Sequence, residues 1–195
     1  MHEARVNTNS TDQHAIQPWQ PLAQQAAFRH VLEAFSYPGR VVSLGAAPND
    51  TLTMLLATLV DAGVTLADPL NQVSADDRRR LDAQLALPDR AQFVVSQGAH
   101  VPDYQPVLGT LESPEHGATV IVCVESLGEG ARLDLTGPGI DGETTLHVAG
   151  MAPGWWIQRG RWNTSFPMGV DLILVAGRRL VALPRTTRIQ VKGAH

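Results

Sequence analysis

Apolar residues fall in short dense runs separated by Gly, Pro and polar turns, and the densest lies near the carboxyl end. Residues 166–191 read FPMGVDLILVAGRRLVALPRTTRIQV. Within them, 170–175 and 180–183 are continuous apolar strands joined by Ala176-Gly177-Arg178-Arg179, a turn in which Gly177 can take φ > 0. Such unbroken runs belong in the middle of a sheet covered on both faces. Asp171 stands inside the first strand and needs a partner if buried. Pro184-Arg185-Thr186-Thr187 breaks the ladder before a last strand at 188–191.

Upstream, residues 1–17 are polar and read as a flexible tail before a single domain over 18–195. Residues 22–35 form a predicted helix whose apolar side carries Leu22, Phe28, Leu32 and Phe35. Pro38 and Gly39 stop it ahead of a short strand at 40–44. Asp50 is the expected N-cap of a helix over 51–62, with Leu52, Leu55, Leu56, Leu59 and Val60 as its buried face. A strand follows at 64–67. Ser74 and Asp77 then have the spacing of a capping box opening a helix over 75–85.

Further strands are predicted at 92–95, 118–124, 132–136 and 144–148, with a gap through Gly128 and Gly130. The Pro- and Gly-rich segment 97–117 is irregular, and 104–108 fits a short helix or an extended piece equally. Pro153 suits a helix start for 153–162, although Gly154 and Gly160 weaken that helix. Helices and strands alternate early and strands dominate late. The expected fold is α/β, a single three-layer domain with a mixed sheet.

Composition narrows the function classes. Hydrophobic residues at 44% and charged residues at 17% over 195 positions describe a globular chain. A net charge of −4 leaves no electrostatic footprint for nucleic acid. No run reaches the length of a membrane span, no signal peptide is visible, and a single cysteine excludes an internal disulfide, so the expected compartment is the cytoplasm. Cys123 lies in an apolar run and reads as a buried, inert thiol. The seven histidines show no ligand spacing, and no metal is expected. Lys192 is the only lysine, which argues against a P-loop and against pyridoxal phosphate, so no cofactor is expected.

Three stretches keep a chemical reading beside a structural one. Gly137-Pro138-Gly139 allows close approach of backbone to an anion, or is simply a strained turn. Arg185, with Thr186 and Thr187, offers a guanidinium fork to a phosphate, or holds its own turn through a carboxylate such as Asp171. Ser36 to Arg40, with Arg29 upstream, resembles it. Trp155, Trp156 and Trp162 are interface anchors if exposed, or cover one face of the sheet.

These same stretches carry a family resemblance. Phe28-Arg29, Leu32, Ala34, Ser36 and Pro38-Gly39, then LTGPGI at 135–140, FPMGVDLIL at 166–174 and LPRTT at 183–187 resemble PhnH, a subunit of the bacterial carbon–phosphorus lyase. The resemblance runs from about residue 22 to 191 and departs most over 150–165, where the family has a more regular helix. It implies a fold like a pyridoxal-phosphate-dependent transferase domain without the cofactor, and a homodimer. It also implies assembly with PhnG, PhnI and PhnJ. That complex, with an ATP-binding-cassette partner, exchanges the adenine of ATP for a phosphonate, giving ribose 1-phosphonate 5-triphosphate. A radical iron–sulfur subunit later cleaves the C–P bond, and with one cysteine here that cluster belongs elsewhere. The resulting expectation is an accessory subunit. Its anion cleft would be formed by Arg185, Thr186, Thr187, Gly137, Gly139 and Arg29 and supported by Asp171, Pro38 and Gly39. A stand-alone dimeric enzyme or binding protein for a small phosphorylated ligand is the alternative.

Overall fold

A computed structural model describes residues 17–47 and 50–192. The expected tail therefore lies outside the described residues, apart from its last position. In chain order the helices are α1 (Pro21–Ser36), α2 (Thr51–Leu59), α3 (Ala75–Leu81) and α4 (Gly154–Trp162). The strands are β1 (Val42–Ser43), β2 (Thr65–Ala67), β3 (Gln84–Leu85), β4 (Phe93–Gln97) and β5 (Thr119–Cys123). They continue with β6 (Ser126–Thr136), β7 (Thr144–Ala149), β8 (Asp171–Ala176), β9 (Arg179–Leu183) and β10 (Arg188–Lys192).

Seven strands form a mixed sheet in the order β1-β9-β8-β5-β4-β2-β3, and three form a second sheet in the order β10-β6-β7. In the large sheet β3, β2, β4, β5 and β8 run parallel, and the β8–β9 hairpin and β1 add antiparallel partners. The hairpin closes at Ala176 opposite Arg179, with Gly177 at φ +56° in its loop. Alternation across the pleat explains the unbroken apolar run in β8. Ile173 and Val175 join the core under α1, α2 and α3. Leu172 and Leu174 join the opposite core, with Trp155 and Trp162 of α4 and with Leu133, Leu135, Leu146 and Val148 of the small sheet. The large sheet is thus the middle layer, buried on both faces as its composition requires.

Several elements differ from expectation for local physical reasons. α1 buries Ala23, Ala27, Val31 and Ala34, while Leu22, Phe28 and Leu32 are exposed. Small side chains let the helix lie close against α2 and β9, and this close approach outweighs burial of the larger residues. α2 ends at Leu59 because Val60 is already extended, and it buries Thr51, Met54, Leu55 and Leu56. Its Asp50 side chain makes no capping hydrogen bond.

α3 does start at the expected cap, the Ser74 hydroxyl accepting from Asp77 N at 3.0 Å. It stops at Leu81, where Asp82 turns left-handed, and residues 84–85 pair with β2 as an edge strand. The strand expected at 132–136 begins at Ser126 and passes straight through Gly128 and Gly130, with a bulge against β7 between Leu127 and Ala131. The undecided stretch 104–108 carries no helix. The Trp-rich segment forms a regular helix despite its glycines.

Candidate functional site

The motif stretches converge at one end of the α4-side layer. The turn after β6 brings Gly137 against the backbone of the segment between β9 and β10: a Cβ there would sit 2.9 Å from Thr186 O. Gly139, at φ +80°, abuts Ser36 O at the end of α1, where no side chain fits. Gly39 in turn approaches Leu135 and Thr144. Pro38, Gly39 and Gly139 line a cleft of about 560 Å³ with Arg40, Asp141 and Glu143. Arg40 is already engaged, 3.0 Å from Glu33 and stacked 4.2 Å over the Tyr37 ring. Two carboxylates therefore face this cleft beside one paired arginine.

Arg185 and Asp171 meet across the β8 and β9 ends. Asp171 Oδ1 accepts from the Arg185 backbone N–H at 2.7 Å, and its Oδ2 accepts from Nη2 at 2.8 Å. Nη1 donates to Pro114 O at 2.6 Å, which ties the irregular segment to the same knot. Both side chains are mostly buried, 13% and 20% exposed. The carboxylate partner raised as the structural reading of Arg185 is thus present. Asn163 adds a second clamp, accepting from Val170 N at 2.7 Å and donating to Val170 O at 3.2 Å.

Arg159 is the residue sequence reasoning passed over. It lies on α4 four residues after Trp155 and three before Trp162, and so shares their inward face. That spacing was the available signal. Its Nη2 donates to Pro184 O at 2.7 Å and to Thr187 O at 3.1 Å. Burial pulls its pKa down to about 10, against the opposing pull of Asp171. Beside it a cavity of about 230 Å³ is lined by Arg185, Thr187, Arg188, Trp156 and Gly160.

The remaining candidates are dispersed. Arg29 is exposed on α1 and its side chain makes no hydrogen bond or ion pair among the described residues. Thr186 is half-buried and meets Gly137 through its backbone. Trp155 and Trp162 cover the sheet, packed edge to face with centroids 6.2 Å apart, and are not exposed anchors. Burial, with the Asp68 charge adding to it, pushes the Cys123 thiol up to about 11. Among the described residues no helix is long and apolar enough to cross a membrane.

A mixed α/β sheet flanked by a small antiparallel sheet, knotted at Asp171–Arg185, is the frame that the four motif stretches build. The family model described as bacterial phosphonate metabolism protein (PhnH) matches residues 17–190. The chain is 52% identical over 177 residues to HtxG of Stutzerimonas stutzeri, named as a C-P lyase subunit protein, covering 91% of each chain. It is 32% identical over 181 residues to a Rhizobium meliloti protein, covering 85% of this chain and 90% of that one. The latter is named alpha-D-ribose 1-methylphosphonate 5-triphosphate synthase subunit PhnH. The chain belongs to the PhnH family.

Proposed function

We propose that this chain is the PhnH-type subunit of a carbon–phosphorus lyase system. In this reading it supports conversion of ATP and a phosphonate into a ribose 1-phosphonate 5-triphosphate. The observation that carries the reading is likeness over 91% of both chains to a protein named as a C-P lyase subunit. In this reading the role is accessory.

The reading includes a homodimer and contacts with PhnG-, PhnI- and PhnJ-type subunits. Support for protein partners comes from the surface. Phe28 and Leu32 stand one turn apart and exposed on α1, Ile157 is exposed on α4, and Phe166 is 68% exposed. Arg185 and Asp171 then act as the clasp that holds the family motif in shape, with Gly137 and Gly139 allowing the close backbone approaches. Co-expression with the three partner subunits, one of them tagged, followed by size-exclusion chromatography tests the proposal. Co-elution at a fixed stoichiometry is expected. A lone species that never enters the complex would overturn it.

A further inference from the structure

The interior treats its arginines unequally. Arg78 meets Asp68 at 2.8 Å and Arg185 meets Asp171 at 2.8 Å. Arg159, only 5% exposed, has no carboxylate within ion-pair distance among the described residues. Its two hydrogen bonds both leave from Nη2 and both end on backbone carbonyls. Nε is buried without a partner, and Nη1 makes no hydrogen bond among the described residues. Thr187 Oγ1, 2% exposed as a residue, is a second buried orphan on the same wall. Asp171 lies within electrostatic reach, but its oxygens are already taken by Arg185.

A buried cation whose nearest carboxylate is already engaged by another arginine, next to an unpaired hydroxyl, is an unfavourable arrangement that an anion would relieve. The adjoining cavity supplies the room. Arg159, Arg185 and Arg188 line it and, among the described residues, no carboxylate does. At about 230 Å³ it is smaller than the roughly 300–1,000 Å³ typical of sites for drug-sized ligands, and suits a compact head group. Trp156 forms one wall, and Gly160 stands at the lining with open space where a Cβ would project.

We propose that this cavity binds the tetrahedral PO₃ group of a phosphonate or phosphate. Arg159 holds the buried side of the group through its unbonded Nη1, with Thr187 beside it, and Arg188 contributes charge at the exposed rim. The choice of ligand rests on the phosphonate reading above; the site itself rests on the buried Arg159 guanidinium, which has no ion-pair partner among the described residues. Guanidinium groups suit this oxyanion because their planar forks match its oxygens.

Isothermal titration calorimetry on the full chain tests it, with methylphosphonate, inorganic phosphate and inorganic triphosphate as separate probes. The pH should be about 8, where the dianions of phosphate and methylphosphonate predominate. Saturable binding of at least one probe is expected, weakened by salt. R188A, at an exposed position, should weaken it about 3- to 10-fold through loss of one partly screened charge. G160M, whose side chain overhangs the cavity, should weaken it about 10-fold or more without lowering the melting temperature, because Gly is a poor helix residue. R159M should abolish it.

Preference for methylphosphonate would assign the site to a phosphonate, and preference for triphosphate to a polyphosphate chain. No saturable binding of any probe by the parent protein would overturn the inference. So would binding that R188A and G160M leave unchanged. Failure of binding alongside normal co-elution with the partner subunits would remove this site and leave the subunit reading standing. Binding without co-elution would do the reverse.

Discussion

Replacing Asp171 with alanine is the sharpest perturbation of the knot that holds the family motif together. The carboxylate takes two short hydrogen bonds from Arg185, one from the backbone N–H at 2.7 Å and one from Nη2 at 2.8 Å. Hydrogen bonds to a charged partner contribute about 1.5–3 kcal/mol each, and breaking one side of a buried ion pair costs about 3–5 kcal/mol. The pair is 13% and 20% exposed, and Arg185 keeps its bond to Pro114 O at 2.6 Å, so the lower end applies. The expected loss is about 3 kcal/mol, or about 6–12 °C in melting temperature for a domain of this size.

Urea unfolding followed by tryptophan fluorescence reads this directly, because Trp155 and Trp162 are buried in the adjoining core. The double variant D171L/R185M should recover part of the loss, since a well-packed apolar pair carries no uncompensated charge. If D171A stays within about 0.5 kcal/mol of the parent, the range of ordinary surface substitutions, the clasp reading is wrong. Equal losses in D171A and in the double variant would show that the ion pair itself is not what the knot depends on.

Two further outcomes follow from packing and burial. A27L on α1 should destabilise by about 1–3 kcal/mol through overpacking against a fully buried position, whereas F28S/L32S should change stability by less. The reverse ranking in urea would contradict the helix orientation. Cys123 has a thiol pKa raised by burial from 9.0 to about 11, so the folded state keeps the proton that the unfolded chain releases. Its contribution is fully present below about pH 9 and is lost as pH rises towards 11. C123A should flatten the fall in stability between pH 9 and 10, before Tyr104, raised from 10.0 to about 12, begins to contribute. An unchanged profile in C123A would refute this source.

Much of the fold is legible in local pattern because it follows from local chemistry. The β8–β9 hairpin comes from two apolar runs around Gly177, and the start of α3 from the Ser74 hydroxyl and Asp77 N–H, three residues apart. Elements depart from their local pattern where a neighbour decides. α1 turns its alanines inward because β9 and α2 approach closely, a competition invisible in a helix read alone. Residues 84–85 leave a good helical sequence for an edge strand because β2 has an open side.

The site divides in the same way. Sequence by itself determined that Arg185 and Asp171 belong to one motif, that Cys123 lies in an apolar strand, and that Gly137 and Gly139 permit close approach. It also carried the likeness that places the chain in its family. Only the tertiary structure decided that the Arg185 fork is spent on Asp171 and Pro114 O, and that Arg159, 26 positions earlier in the chain, is a buried guanidinium with no ion-pair partner among the described residues. Which cation is neutralised depends on distances between segments brought together by two sheets and a helix. Electrostatic pairing in a low-dielectric interior is set by those distances, and no spacing along the chain encodes them.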